Sequence, residues 1–286
     1  MIFDSHAHYS RYQYNQNFRV WRALGDGFAV EDFTRNRLFE RMNSEGIIGY
    51  IEPSVDFESI PAQWKLAETY PDYVHVAVGV HPTRCFLTKW KNRKRLEEYL
   101  KQGKAVAVGE TGLDYHYPRR KQHRLRQKMW FVYQIKLADR MNLPLILHVR
   151  EADRDALIIL KKYQDRLHGG VAHCFTGDAD TAEKYISLGF ALGIGGAVLN
   201  GDERAIRIRD VVEKIPLTSI LLETDAPYVS PENAGLELRR KRRAKICNSS
   251  LILPAVAGKI AEIKGISIEE VEKVTTENSL RIFGIS

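Results

Sequence analysis

"MIFDSHAH" (residues 1–8) joins a short apolar run to two histidines one residue apart, before the chain has had room for a helix. In an open, doubly wound sheet the loop after the first strand is usually glycine-rich, because bare backbone must approach a phosphate there. Here that loop is rich in histidine. The first strand therefore delivers side chains, not naked backbone, to whatever site lies at its end.

Working outward, "MIFDSH" (1–6) is the first of eight apolar runs. The others are "GIIGYIEP" (46–53), "VHVAVGVHP" (74–82), "KAVAVGET" (104–111), "PLILHVR" (144–150), "GGVAHCFTG" (169–177), "FALGIGG" (190–196) and "SILLETDAP" (219–227). Continuous apolar runs of this length suit parallel strands buried on both faces. Between them lie amphipathic stretches such as "RLFERMNSEG" (37–46) and "HRLRQKMWFVYQIKLADRMN" (123–142), with apolar positions three and four apart. Gly46 and Gly103 stand where a helix should stop before the next strand. Eight strand-then-helix units predict an α/β protein of the (β/α)8 TIM-barrel type. The doubly wound alternative usually has fewer strands, and "GIGG" (193–196) lacks the full dinucleotide spacing. No repeat beyond this unit and no linker appears, so residues 1–286 read as a single barrel domain with an enlarged loop at about 9–31.

Composition removes several classes of function. With 44% hydrophobic and 28% charged residues and no low-complexity segment, the chain is globular and not disordered. No apolar run is long enough to cross a bilayer, and Asp4 breaks up any signal peptide, so a soluble cytoplasmic protein is expected. Cys85, Cys174 and Cys247 are odd in number and outside any CxxC spacing, which reads as reduced thiols and not as a disulfide framework or a thiolate zinc site. The net charge of +7 leans towards polyanionic partners.

In a barrel the functional side chains sit at the C-terminal ends of the strands. The predicted strands comply. His6 and His8 end the first, His81 the third, Glu110 the fourth, His148 the fifth and Asp225 the eighth, with His173 shortly before the end of the sixth. Five of the nine histidines thus fall on one rim together with two carboxylates. Residues i and i+2 of a strand point to the same side, so His6 and His8 can hold one cation. Imidazole nitrogens with carboxylate oxygens suit Zn, Mn, Fe or Mg-type ions. This set can hold two ions with Glu110 bridging them, and it leaves positions open for water, the mark of a catalytic site.

The blocks "DSHAH" (4–8), "GVHP" (79–82), "GETGLDYHY" (109–117), "HVR" (148–150), "HCFTG" (173–177) and "LLETDAPY" (221–228) resemble the signatures of the TatD family of metal-dependent hydrolases. That family is a branch of the amidohydrolase superfamily. The resemblance continues into "KIAEIKGISIEEVEKVTTENSLRIFG" (259–284) and so spans nearly the whole chain. It implies a barrel that binds divalent metals, with relatives that include 3′–5′ exonucleolytic deoxyribonucleases and others linked to removal of D-amino acids from tRNA. By the same resemblance, His6, His8 and Asp225 would hold one ion, Glu110 would bridge, and His148 and His173 would hold the other. Asp225 would also orient or deprotonate the attacking water. Many amidohydrolase relatives carry a carbamylated lysine at the end of the fourth strand; this chain has Glu110, which favours the phosphoesterase-like branch. The chain departs from the family in two places. "YSRYQYNQNFRVWRALGDGFAVED" (9–32) replaces a short loop, and "NSS" (248–250) stands where relatives read Asn-Glu-Pro or Asn-Thr-Pro.

Other residues keep two readings each. Asp4 could bond a ligand imidazole or make a plain structural bond, and Glu223 stands in the same relation to Asp225. Arg150 could grip a phosphate or make an ion pair at the rim. His81 could contact substrate or support a ligand, and His116 lies on a loop near the site. "RRKRRAK" (239–245) follows the last strand and so should face the metals, as a phosphate-binding tract or a solvated face. In the 9–31 insertion, Tyr9, Tyr12, Tyr14, Phe18, Trp21 and Phe28 interleave with Arg11, Arg19 and Arg22, as a base-stacking surface or a lid packed on the barrel.

The function expected is a metal-dependent phosphodiesterase or deoxyribonuclease, 3′–5′ exonuclease-like, in which a hydroxide held by two divalent ions (Mg, Mn, Zn or Co) attacks phosphorus. The expected partner is a nucleic acid, single-stranded DNA or tRNA, with no membrane and no obligate protein partner. The enzyme alternative is ester or amide hydrolysis, of a D-aminoacyl-tRNA or a small amide. The non-enzyme alternative is a nucleic-acid-binding module with structural metals.

Overall fold

The computed structural model describes residues 1–25, 27–116, 123–230 and 246–286; the basic tract at 239–245 lies outside them. The strands are β1 (Ile2–Asp4), β2 (Phe18–Leu24), β3 (Gly27–Phe33), β4 (Ile47–Pro53), β5 (Val74–Ala77), β6 (Ala105–Asp114), β7 (Leu145–Arg150), β8 (Gly170–Ala172), β9 (Phe190–Ile194) and β10 (Ile220–Leu222). The helices are α1 (Arg35–Ser44), α2 (Ile60–Thr69), α3 (Arg93–Leu100), α4 (Arg124–Met141), α5 (Asp153–Lys162), α6 (Ala179–Ser187), α7 (Glu203–Lys214), α8 (Leu253–Lys264) and α9 (Ile268–Phe283). Every predicted apolar run falls on one strand of an eight-stranded sheet, ordered β1-β4-β5-β6-β7-β8-β9-β10, with β6 extending three residues past its run. This is the strand order of a (β/α)8 barrel: each strand lies beside the next along the chain, with a helix between. The last strand returns to the first: the Ser5 amide donates to the Leu222 carbonyl at 2.9 Å, and Ala7 bridges Ala226 in parallel. Among the described residues no helix is long and apolar enough to cross a membrane.

The chain packs as two compact units, Met1–Ile51 with Thr176–Ala179 and Gly193–Ser279, and Glu52–Phe175 with Asp180–Leu192 and Leu280–Ser286. In the first, β1 pairs with β4 through Ile2↔Ile47, Phe3↔Gly49 and Asp4↔Tyr50. The insertion expected as an enlarged loop is an antiparallel hairpin, β2 against β3, in register from Phe18↔Phe33 to Leu24↔Gly27. It adds a third partner, since the Cys247 amide donates to the Arg19 carbonyl at 2.8 Å and the Trp21 amide to the Cys247 carbonyl at 3.2 Å. Its aromatics settle the choice between stacking surface and lid for most positions. Tyr9, Tyr14, Phe18 and Trp21 are buried, Phe28 is half-buried and only Tyr12 of the six is exposed, at 77%. Trp21 therefore packs and offers no face to a base. Tyr9, Tyr14 and Tyr50 meet with ring centroids 4.9 Å apart around Tyr9, in the edge-on and tilted arrangements that aromatic quadrupoles favour. Arg22 closes the outer side, donating to Glu45 at 2.7 Å and Glu31 at 2.9 Å.

In the second unit α4 packs Trp130, Phe131, Ile135 and Leu137 inward and sends two glutamines, seven residues apart and so on one face, into the sheet. The Gln127 amide group makes two 3.0 Å bonds with the Asp114 backbone, accepting its N–H and donating to its carbonyl. Gln134 accepts from the Val80 amide at 2.7 Å and donates to the Val80 carbonyl at 3.1 Å and to Thr111 Oγ1 at 2.7 Å. Two side chains of one helix thus fix the heights of β6 and of the loop after β5.

The backbones of β6 and β7 meet at Gly112 and His148. Gly112 has φ +133°, and a Cβ there would come within 2.2 Å of the His148 carbonyl oxygen. No side chain fits. Gly112→Ala should cost at least about 1–3 kcal/mol, as expected for a non-glycine residue forced into this region, with a further penalty for the collision. Chemical denaturation of the variant is the check; an unchanged midpoint would mean that the strand contact is looser than described.

Candidate metal centre

The first unit gathers His6, His8 and Asp225. The chain leaves β1 at Asp4, bends at Ser5 and bridges again at Ala7, and His6 and His8 flank that bridge two and four residues past the strand. Their Nε2 atoms lie 3.3 Å apart, and Asp225 Oδ1 is 3.5 Å from His8 Nε2 and 3.8 Å from His6 Nε2. Ligand atoms around a tetrahedral cation with bonds of about 2.0–2.2 Å stand about 3.3–3.6 Å apart, so this trio has the spacing of one face of such a site. Both imidazoles are buried, at 0% and 3% exposure, and a carboxylate against two buried rings is a donor set that a cation would neutralise. Asp225 itself has φ 53°, a left-handed conformation that costs a non-glycine residue about 1–3 kcal/mol and recurs at functional sites. Its amide donates to the His6 carbonyl at 2.9 Å, which ties the two ligand-bearing segments together.

Asp4 supports this arrangement by the structural route. Its carboxylate accepts from the His6 amide (3.1 Å), the Thr224 amide (3.2 Å), Thr224 Oγ1 (2.7 Å) and Ser250 Oγ (2.7 Å). Tyr9 completes the group, its hydroxyl accepting from the Ser250 amide at 2.7 Å and lying 2.9 Å from Ser250 Oγ. Burial pushes the Asp4 carboxyl up to about 6 despite these bonds. The "NSS" departure thus bears on the site after all. Ser250 holds Asp4, and Asn248 Nδ2 donates to the Thr224 carbonyl at 2.9 Å. Glu223 is buried, and its amide donates to the Ile194 carbonyl at 3.2 Å.

The second unit gathers His81, Glu110, His148 and His173. Glu110 Oε1 lies 3.6 Å from His173 Nε2 and its Oε2 3.6 Å from His81 Nε2. His148 Nδ1 and His173 Nε2 approach to 3.1 Å, and His81, Glu110 and His148 each offer a ligand atom within 4.8 Å of the others. Two tautomers follow from the partners. His81 Nδ1 accepts the Thr83 amide at 3.1 Å, so a neutral ring carries its proton on Nε2, facing Glu110. His148 Nε2 stands 3.3 Å from Asp114 Oδ2, so a proton shared there leaves Nδ1 as the ligand atom beside His173. Burial would raise the Asp114 carboxyl, but the bond to His148 and that ring's charge outweigh it and hold the group below the usual carboxylate range.

Several sequence expectations need correction in detail. β1, β5, β8 and β10 stop at Asp4, Ala77, Ala172 and Leu222, so His6, His8, His81, His173 and Asp225 lie beyond strand ends, in extended chain or turns. Glu110 does not end its strand; β6 continues to Asp114. That continuation hid Asp114, which stands opposite Arg150 in the β6–β7 ladder and whose carboxylate lies 3.3 Å from His148 Nε2. Thr224 and Ser250 were also missed, as hydroxyls whose partners lie over 200 residues away in the chain. His116 bonds Glu151 through Nδ1 at 2.5 Å, and Arg150 is exposed at the end of β7.

An eight-unit barrel with buried imidazole and carboxylate groups at strand ends defines a metal-dependent hydrolase. The family model described as TatD related DNase matches residues 3–284, and the chain belongs to that family. It is 33% identical over 286 residues to the uncharacterized metal-dependent hydrolase YabD of Bacillus subtilis (strain 168), with 100% of each chain covered. To the 3′-5′ ssDNA/RNA exonuclease TatD of Rahnella sp. (strain Y9602) it is 32% identical over 266 residues, covering 92% of this chain and 98% of that protein. The crystal structure of YJJV, a TatD homologue from Escherichia coli K12, superposes with a TM-score of 0.80 at 28% identity, over 100% of this chain and 98% of that one. The chain is therefore an enzyme of this class, and the reading of a binding module with structural metals falls away.

Ser250→Ala would leave the buried Asp4 carboxylate one donor short. It should destabilise the protein by about 1–3 kcal/mol, the cost of an unsatisfied buried acceptor, and lower the protein's retained metal. Thermal unfolding and metal content after dialysis measure the two effects, and an unchanged midpoint would show that Asp4 does not depend on the hydroxyl.

Proposed function

We propose that the chain acts as one catalytic domain that removes nucleotides from the 3′ end of single-stranded nucleic acid, with His6, His8 and Asp225 holding one divalent ion, His148 and His173 a second, and Glu110 shared. The observation that supports this most directly is the donor set itself: imidazole nitrogens and carboxylate oxygens at ligand spacing, without a thiolate. Bound divalent ions there would acidify water and offset charge on the phosphate oxygens. The second Asp225 oxygen can take the proton of the attacking water, as a carboxylate partly open to solvent can do. His81, protonated on Nε2, can donate to a phosphate oxygen. Arg150 offers an exposed guanidinium to the same group. Tyr12 is four residues beyond His8, and Tyr228, 37% exposed, lies with its ring centroid 6.2 Å from that of His8; both can stack on unpaired bases. Reduced thiols and the lack of a membrane-spanning helix among the described residues fit a cytoplasmic enzyme.

Metal-free protein reconstituted in turn with Mg, Mn, Zn and Co should shorten a 5′-labelled single strand stepwise from its 3′ end. Turnover of charged tRNA instead, with no strand shortening under any metal, would overturn the nuclease reading. Glu110→Gln and Asp225→Asn should each lower the rate by at least about 100-fold, the scale of a lost general base, with unfolding still cooperative. Tyr12→Ala should weaken single-strand binding by about 1–3 kcal/mol without touching stability, because the ring is exposed.

A further inference from the structure

The second unit carries a cavity of about 420 Å³, lined by Asp56, Phe57, Glu58, Arg84, Lys89 and Arg95 among others. Its walls are the loop after β4, the loop after β5 and the start of α3, which carries Arg95, and in a barrel the loops that follow strands sit on the catalytic face. The two loops are sewn together at His81, whose amide donates to the Val55 carbonyl at 2.9 Å. From there the chain turns directly into the cavity wall. The Arg84 amide donates to the His81 carbonyl at 2.8 Å and the Thr88 amide to the Arg84 carbonyl at 3.1 Å. Arg126, on α4, anchors the far end by donating to the Thr88 carbonyl at 2.9 Å. The cavity therefore begins three residues from a histidine whose Nε2 is 3.6 Å from Glu110.

Its polar groups suit an anion. Arg84 spends only Nε on Asp56, at 3.4 Å, and Asp56 also accepts from the Ser59 amide at 3.1 Å. The Arg95 guanidinium carbon sits over the Phe57 ring, 4.9 Å from its centroid, which holds that cation at the cavity wall. Lys89 is exposed. The Phe57 ring is buried at 4% exposure and already covered by Arg95, so it offers no face to a base. With Arg84, Lys89 and Arg95 against Asp56 and Glu58, the lining keeps a cationic excess and no open aromatic, which suits phosphate and not nucleobase.

We propose that this cavity binds a backbone phosphate of a single-stranded nucleic acid, one or more nucleotides away from the bond being cut, through Arg84, Lys89 and Arg95. The proposal rests on the nuclease reading for its substrate, and it gives the enzyme a grip that is independent of sequence and sensitive to salt.

The test compares the full-length protein with Lys89→Ala/Arg95→Ala, measuring binding of dT2 and dT8 in EDTA across a salt series. For dT8 the wild-type slope of log affinity against log salt should flatten in the variant by about 0.7, the value for one lost phosphate contact on a single strand. The affinity ratio of dT8 to dT2 should fall with it. Arg95→Lys, which keeps the charge, should restore most of the slope when Lys89 is intact. If the double variant does not fold, Lys89→Ala alone, at an exposed side chain, should remove about half of the change. Turnover of bis(p-nitrophenyl) phosphate by the wild-type protein with Mn separates the two ideas. Turnover with an unmoved salt slope overturns the cavity and leaves the nuclease reading standing. A flattened slope without phosphodiester turnover keeps the cavity as a polyanion site and overturns the nuclease reading.

Discussion

The Asp4 carboxylate is the constraint on which the first unit depends. It is fully buried, and an ionised carboxylate in that position carries a desolvation penalty of several kcal/mol unless donors surround it. Four donors do, and they come from segments 2, 220 and 246 residues away in the chain. The bond to the His6 amide sets the end of β1; the bonds to Thr224 set the chain beyond β10. His6, His8 and Asp225 ride on those two segments. Their mutual spacing is therefore a consequence of one buried charge and its donors, and the left-handed turn at Asp225 is held in place by the same bonds.

The second unit reaches an equivalent result without a buried hub. Here the positioning comes from a helix: Gln127 and Gln134 of α4 satisfy backbone groups of β6 and of the loop after β5, and so place Glu110 and His81. Asp114 then selects the tautomer of His148, and Thr83 that of His81. Both solutions put the cost of order in neutral or singly charged groups remote from the ligand atoms.

Much of this was legible in the sequence. Seven of the eight barrel strands fall within the apolar runs and β6 overruns its own by three residues, because a strand buried on both faces must be largely apolar; the candidate ligands stand out as imidazoles and carboxylates at or just past the ends of those strands. The ends of strands were not legible. Hydrogen-bonded ladders stop at Asp4, Ala77, Ala172 and Leu222, one to four residues before the candidate ligands, and composition does not record where a ladder stops. Asp114 was lost to the opposite error, since polar residues from Glu110 onward look like the end of a strand that in fact continues. The hairpin was overlooked although "LGDGF" (24–28) carries an Asp-Gly turn signal. Burial of both Val20 and Trp21 breaks the alternation that would have marked β2.

The hairpin also explains why the "NSS" departure does not unsettle the site. A proline at position 250 would have no amide to donate to Tyr9 and no hydroxyl for Asp4, and both bonds exist here. The segment that carries them is held by the insertion. Cys247 pairs with β2, the Ser249 hydroxyl donates to the Trp21 carbonyl at 3.0 Å, and the Tyr14 hydroxyl donates to the Asn248 carbonyl at 2.7 Å. The two departures from the family pattern are thus physically coupled. An added hairpin supplies edge, hydroxyl and carbonyl partners to residues 247–249, and Ser250, fixed in turn, supplies Asp4 with a donor that proline could not.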